Sequence, residues 1–200
     1  MMTVTTEKKT KTETKSEKEE LEYKIEIATQ TLERNIGFIT NCDNKTSIVL
    51  ASFGVLLAII LTNEVINEIF HIVNTCIAMK TFCSILFLLC SAGAVFVMLL
   101  GMFNLGSVLV AKTSEEAMGR DNERSCIFFS GIAKNDDYNT YNQKFLAMDR
   151  DGLLNDLIEQ IYINADIAST KYASYNRGLR RTAIGFLSFI VLLLIGIFIF

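Results

Sequence analysis

Proline is absent from the 200-residue chain, and histidine occurs once, as His71. The first absence permits long unbroken helices without requiring them, because proline removes a backbone donor and clashes with the preceding turn. The second leaves little for acid–base chemistry. No HExxH, GxSxG or P-loop pattern and no paired His and Asp cluster stands in its place, so an enzyme is not expected. A basic excess is missing too: the net charge of -3 argues against a nucleic-acid polymer as partner, while a small charged ligand remains compatible. The five cysteines follow neither zinc spacing nor a disulfide framework. Cys42 and Cys126 are expected to be cytoplasmic and reduced, Cys76 alone outside, and Cys83 and Cys90 small packing residues of a span. His71 reads as solvated, with no second ligand type beside it, so no metal or other cofactor is expected.

What the chain does have is three long uncharged stretches. Residues 182–200 read TAIGFLSFIVLLLIGIFIF, and residues 46–63, between Lys45 and Glu64, read TSIVLASFGVLLAIILTN. A third stretch, 81–111, lies between Lys80 and Lys112; as a helix it would reach about 46 Å. It must tilt or protrude, since a bilayer core is about 30 Å thick. Spans are therefore expected at about 46–63, 81–104 and 182–200, with a cytoplasmic segment at about 112–181. A hydrophobic fraction of 50% and a mean hydropathy of +0.34, beside a very polar leader, agree with this. No N-terminal signal peptide is expected, because the first apolar run begins far from Met1.

The bases nearest the spans are Lys45, Lys112, Arg120, Arg177, Arg180 and Arg181, and all should be cytoplasmic. The connection between the first two spans then lies outside, as does the C-terminus, which in a bacterial cell means the periplasm. In that connection Val65, Ile66, Ile69, Phe70, Val73, Cys76 and Ile77 share one helical face, opposite Glu64, Asn67, Glu68, His71, Asn74 and Thr75. It reads as an interfacial helix that either wedges the outer leaflet or rests on lipid as a linker.

Residues 1–20 are mixed in charge and nearly free of apolar side chains, so this leader is expected to be disordered. From Ser16, a candidate N-cap, an apolar seam runs through Leu21, Ile25, Ala28, Leu32, Asn35, Ile39 and Cys42 in alternating steps of four and three, with Asn35 placed to fix register. A second such seam, Leu154, Ile158, Ile161, Ala165, Ala168, Tyr172, Tyr175 and Leu179, leads into the last span. The two stalks and the cytoplasmic extension of the second span should pack as a helical bundle. The fold class is thus an all-α membrane protein, three transmembrane helices with a cytoplasmic bundle, and seams this extensive predict a homo-oligomer.

Between the bundle elements, CIFFSGIA (126–133) is too short to span and too apolar to be exposed, so it should fold back under the bundle. Around it stand Arg120, Arg124, Lys134, Asn135, Tyr138 and Tyr141. Arginine takes phosphate bidentately, aromatic faces stack a base and asparagine reads a base edge, so the parts of a nucleotide pocket are present. With Glu123, Asp136 and Asp137 interleaved, an ordinary solvated turn is the competing reading.

The order DNKTSIVLASFGVLLAII, second span, IFFSGIA, DDYNTYNQKFL and DLIEQIYINADIASTKYASYNRGLRRTAIGFLSFIVLLL resembles the Pycsar transmembrane effector family, from about Arg34 to the end. Positions matching the family pattern are Asp43, Lys45, Phe129, Ile132, Tyr138, Gln160 and Lys171. The family commonly has prolines after the second span, where this chain has none. The resemblance implies a bacterial anti-phage effector of the inner membrane. There a pyrimidine cyclase senses infection and makes cyclic CMP or cyclic UMP, and the effector damages the membrane in an abortive infection. With the arginines of the turn added to the family positions, Arg120, Arg124, Phe129, Tyr138 and Lys171 are the nucleotide-binding candidates, and Asp43, Lys45, Ile132 and Gln160 are left without an assigned role. The alternative function is an accessory membrane subunit whose stalks dock a partner protein.

Overall fold

The computed structural model describes residues 3–110 and 125–200, with side chains from Ser16 onward. Helix α1 (Thr3–Ile60) is followed by α2 (Asn63–Met79) and α3 (Phe82–Leu109), then by the short α4 (Phe129–Ala133), α5 (Tyr138–Ala147) and the long α6 (Arg150–Ile199). No strand occurs among the described residues, and the molecule is an all-α membrane protein. Three helices are long and apolar enough to cross a bilayer, within Ser16–Ile60, Phe82–Leu109 and Arg150–Ile199. Their large apolar side chains stand outward, Phe96 at 61% exposure and Leu187 at 63%. A lipid-facing surface has this character, because the hydrocarbon takes apolar side chains without cost and the helix satisfies its own backbone.

Helix starts follow side-chain caps. The Thr62 side chain accepts a hydrogen bond from the Val65 amide, and Thr81 accepts one from Ser84, so α2 and α3 each begin where a hydroxyl meets an otherwise unpaired donor. The Thr62 cap also ends α1 at Ile60, short of the boundary expected at residue 63. At the start of α6, Asp149 Oδ1 accepts from the Gly152 amide at 2.7 Å. Asp137 caps α5 by accepting from Thr140 at 2.7 Å, and that bond holds its carboxyl below the usual aspartate range. The cap is therefore complete above the ordinary aspartate pKa and is lost as pH falls through the lowered value. Helix α1 begins at Thr3, ahead of the Ser16 cap and across the leader expected to be disordered. Lysine and glutamate are good helix formers even where no apolar stripe helps them.

The molecule divides into two compact units: Met1–Ile39 with Lys112–Ser169, and Thr40–Ala111 with Thr170–Phe200. In the first, the expected α1 seam is the packed one, from half-buried Leu21 and Ile25 through Ala28 at 5% exposure to half-buried Asn35 and Ile39. Asn35 Nδ2 donates to the Ile161 carbonyl at 3.1 Å, and the Arg150 guanidinium pairs with Glu22. Both contacts advance together along the two helices, so α1 and α6 run parallel here. On α6 the expected seam holds in part, with Leu154 and Ile161 half-buried and Ala168 buried. The buried positions are Leu157, Gln160, Ile163, Asn164, Ile167 and Ala168, whereas Ile158 is 52% exposed and Ala165 is also exposed. The inward stripe carries polar residues that a search for apolar periodicity passes over.

In the second unit α3 is antiparallel to α6, with Gly101 against Thr182 and Met98 against Gly185. The last turns of α3 continue past the expected end at residue 104, and Leu105 and Val108 are buried, with Leu105 against Gly178. The long second stretch is thus packed against α6 beyond residue 104. Helix α2 is not wholly interfacial. Ile72 and Cys76 are buried, and Ile69 and Ile72 line a cavity of about 60 Å³ with Phe87, Ser91, Phe189 and Leu193, while Phe70 and Ile77 face outward. Cys83 and Cys90, expected as packing residues, are exposed.

Candidate signal-coupling site

Gln160, Lys171 and Thr182 are eleven residues apart on α6, close to three helical turns at each step, so they share one face. All are buried, at 1%, 4% and 0% exposure. A charge in such a place needs a partner, and in the second unit Lys171 Nζ donates to both carboxylate oxygens of Asp43, at 2.6 and 2.8 Å. Asp43 is itself about one-third exposed, so water meets the pair from the α1 side only. Beside it, burial pushes the Cys42 thiol above its usual range, an effect that Asp43 reinforces and Lys171 opposes. Thr46, one turn on and fully buried, donates back to the Cys42 carbonyl at 2.8 Å. Two helices that enter spans are therefore joined by an ion pair just ahead of both. A ring contact of Phe53 with Phe186, centroids 5.5 Å apart, follows further along, and together the two contacts make α1 and α6 parallel in this unit.

Gln160 is the anomaly of the first unit. Among the described residues neither its amide nitrogen nor its amide oxygen has a hydrogen-bond partner, although its backbone carbonyl accepts from Asn164 at 2.8 Å. Such orphaned polar atoms cost about 1–3 kcal/mol each, so the observed packing carries a standing penalty there. Replacing Gln160 by leucine, of similar volume, should raise unfolding free energy by about 1–2 kcal/mol. Chemical denaturation in detergent would read it, and a destabilised variant would show the amide to be satisfied in the folded protein.

The apolar turn is docked one turn before Gln160. Ser125 Oγ and the Cys126 amide donate to the two oxygens of Asp156, at 2.7 and 2.8 Å, and Tyr141 donates to the Cys126 carbonyl at 3.1 Å. Gly131 is buried and Ile132 half-buried, but Phe129 stands 65% exposed, so the turn folds back only in part. Asp156 was passed over in the sequence because a single acid on a helix carries no pattern of its own.

The sequence-derived nucleotide candidates do not all belong to one unit. Arg120 and Arg124 lie outside the described residues. Phe129 and Tyr138, the latter 75% exposed, stand on the surface of the first unit, whereas Lys171 is buried in the second and committed to Asp43. Lys45 is exposed. An open cleft of about 580 Å³ in the first unit sets Glu17, Glu20, Asp149 and Asp151 against Lys18, Lys24 and Arg150. With no cationic excess, it is a poor seat for phosphate. Asp43 with Lys171, and Gln160, are the family-pattern residues in unusual environments, a buried ion pair and a buried amide.

Residues 27–199 match the family model described as the Pycsar effector protein domain. The chain is similar to the Pycsar effector protein GmPycTM of Gulbenkiania mobilis, 28% identical over 176 residues that cover 84% of this chain and 90% of that protein. It is likewise similar to EcPycTM of Escherichia coli, 29% identical over 155 residues, 76% of this chain and 80% of that protein. No solved structure matches it.

Proposed function

The chain belongs to the Pycsar effector protein family, a family of anti-phage defence effectors, and on that premise we propose that it converts a cyclic pyrimidine mononucleotide signal into damage to the bacterial inner membrane. The observation that carries this reading is the continuity of α6, which runs from Arg150 to Ile199 without a break and bears the buried stripe Gln160, Lys171 and Thr182 along it. A helix is stiff along its axis, so a change of packing at its polar end reaches the span as a rotation or a shift. The ligand, cyclic CMP or cyclic UMP supplied by a pyrimidine cyclase, binds in the first unit, with Phe129 and Tyr138 as stacking faces and Arg120 and Arg124 as phosphate donors. Lys171 is better assigned to transmission, because it would have to leave Asp43 to meet a phosphate. The N-terminus and first unit are cytoplasmic, the C-terminus periplasmic, and the chain acts without catalysis of its own. Its outcome is abortive infection.

Purified protein titrated with cyclic CMP, cyclic UMP and cyclic AMP tests the ligand. A melting temperature that rises with one pyrimidine nucleotide supports the reading, and no shift with either would reject it.

Ile158 and Tyr162, a turn apart on the outward face of α6 and 52% and 64% exposed, are assigned to contact with a second copy. Changing Ile158 to aspartate should then split the oligomer while leaving the buried stripe, and hence the melting temperature of the monomer, nearly unchanged. Light scattering of the detergent complex would decide it. A monodisperse monomer in the parent protein would favour docking of a different partner on this face.

A further inference from the structure

We propose that Lys45, Arg177, Arg180 and Arg181 form a collar that binds the phosphate headgroups of anionic phospholipid. The inference rests on α1, α3 and α6 crossing a membrane and is independent of the nucleotide.

All four cations are exposed and belong to the second unit. Along α1 and α6 they fall between the Asp43–Lys171 pair and the Phe53–Phe186 contact, so they occupy one band of the unit. The acids of that unit are Asp43, Glu64 and Glu68. Both oxygens of Asp43 are held by Lys171. Glu64 and Glu68 are on α2, beyond the far end of the first span. Arg177 Nε donates to its own helix, at the Ala173 carbonyl, and none of the four cations has a carboxylate partner among the described residues. The facing part of α3, Met102 to Gly106, offers no acid either, its position fixed by Gly101 against Thr182. Among the described residues the unit therefore holds four positive charges in one band with no carboxylate to pair them.

Directly beyond the cations the surface turns apolar, Ile48 being 65% exposed on α1 and Ile184 51% exposed on α6, while Phe103, 76% exposed, stands in the facing stretch of α3. Cations beside outward aliphatic and aromatic side chains match a molecule with a phosphate head and a hydrocarbon tail. Arginine binds phosphate bidentately, and a plane of anionic headgroups meets several cations at once. A free phosphate would meet the same cations without the apolar contact, on an open surface that does not enclose it.

The full chain reconstituted into vesicles of phosphatidylcholine, and of phosphatidylcholine mixed with phosphatidylglycerol, supplies the test. After extraction in mild detergent, phosphatidylglycerol should be retained at least about threefold above its share of the bulk lipid, and high salt should reduce that enrichment. The triple variant R177Q/R180Q/R181Q should lose it, and R177K/R180K/R181K should keep most of it. If the glutamine variant fails to insert, the salt titration of the parent chain decides alone. Equal retention of the two lipids, enrichment indifferent to salt, or displacement of phosphatidylglycerol by inorganic phosphate would each overturn the proposal. Flotation with pure phosphatidylcholine vesicles reports separately on membrane insertion. A chain that does not float removes both the membrane reading and the collar, whereas one that floats without enrichment removes the collar only.

Discussion

Valine in place of Gly185 is expected to break the packing of α3 on α6 and to cost about 3 kcal/mol or more, the upper end of the range for overpacked sites. A Cβ there would come within 2.7 Å of the Met98 Cα and 2.8 Å of the Ala94 carbonyl oxygen, which are backbone atoms of a facing helix and cannot step aside. The helices must separate, and Met98 and Ala94, both buried in that contact, become exposed. Membrane insertion itself should survive, because valine is more apolar than glycine. The matched control is Gly54→Val on α1, where the added atom meets nothing within 4 Å. Comparing the two by thermal unfolding in detergent checks the helix crossing. Similar melting temperatures would mean that α3 and α6 do not approach as closely as described.

The second large effect concerns Asp43 and Lys171, and its size depends on which partner is removed. Asp43→Asn leaves a 4%-exposed lysine ammonium without its counter-charge, which should cost about 3 kcal/mol, the low end for breaking a buried pair because Asp43 is partly solvated. Lys171→Met instead removes the buried charge and leaves a carboxylate that water can reach, so its cost should be near 1 kcal/mol. Adding Lys171→Met to Asp43→Asn should recover most of the loss. Denaturation of the three variants, read as a double-mutant cycle, would establish the coupling. Equal costs for the two single changes would show the pair to be as exposed as a surface salt bridge.

Where the chain writes its structure in apolar residues, the fold is legible before any coordinates. The three long apolar helices and the α1 seam from Leu21 to Cys42 follow from hydrophobic periodicity, which burial enforces. The helix α6 is where that reading fails. Its buried positions include Gln160, Asn164 and Lys171, while the expected seam members Ile158 and Ala165 turn outward and Leu154, Ile161 and Ala168 stay inward. Polar residues in phase at steps of four and eleven were the available signal, and they identify a stripe without saying what each member meets. The α2 helix shows a second limit. Its apolar face is wide enough to serve protein and lipid at once, and only packing separates Ile72 and Cys76 from Phe70 and Ile77. Candidate ligand residues were the least legible, since Phe129 and Tyr138 are exposed aromatics whose chemistry permits stacking without requiring it.

The central claim is that a cyclic pyrimidine nucleotide acts through α6 on the membrane, and dye release from vesicles containing the purified full chain tests it most directly. The account predicts release with cyclic CMP or cyclic UMP and none with cyclic AMP. It also predicts that inserting Gly-Gly after Arg177 abolishes release while nucleotide binding persists, because glycine costs about 1 kcal/mol per helical position and lets the helix bend there. Release that ignores the nucleotide, or that survives the insertion undiminished, would contradict it.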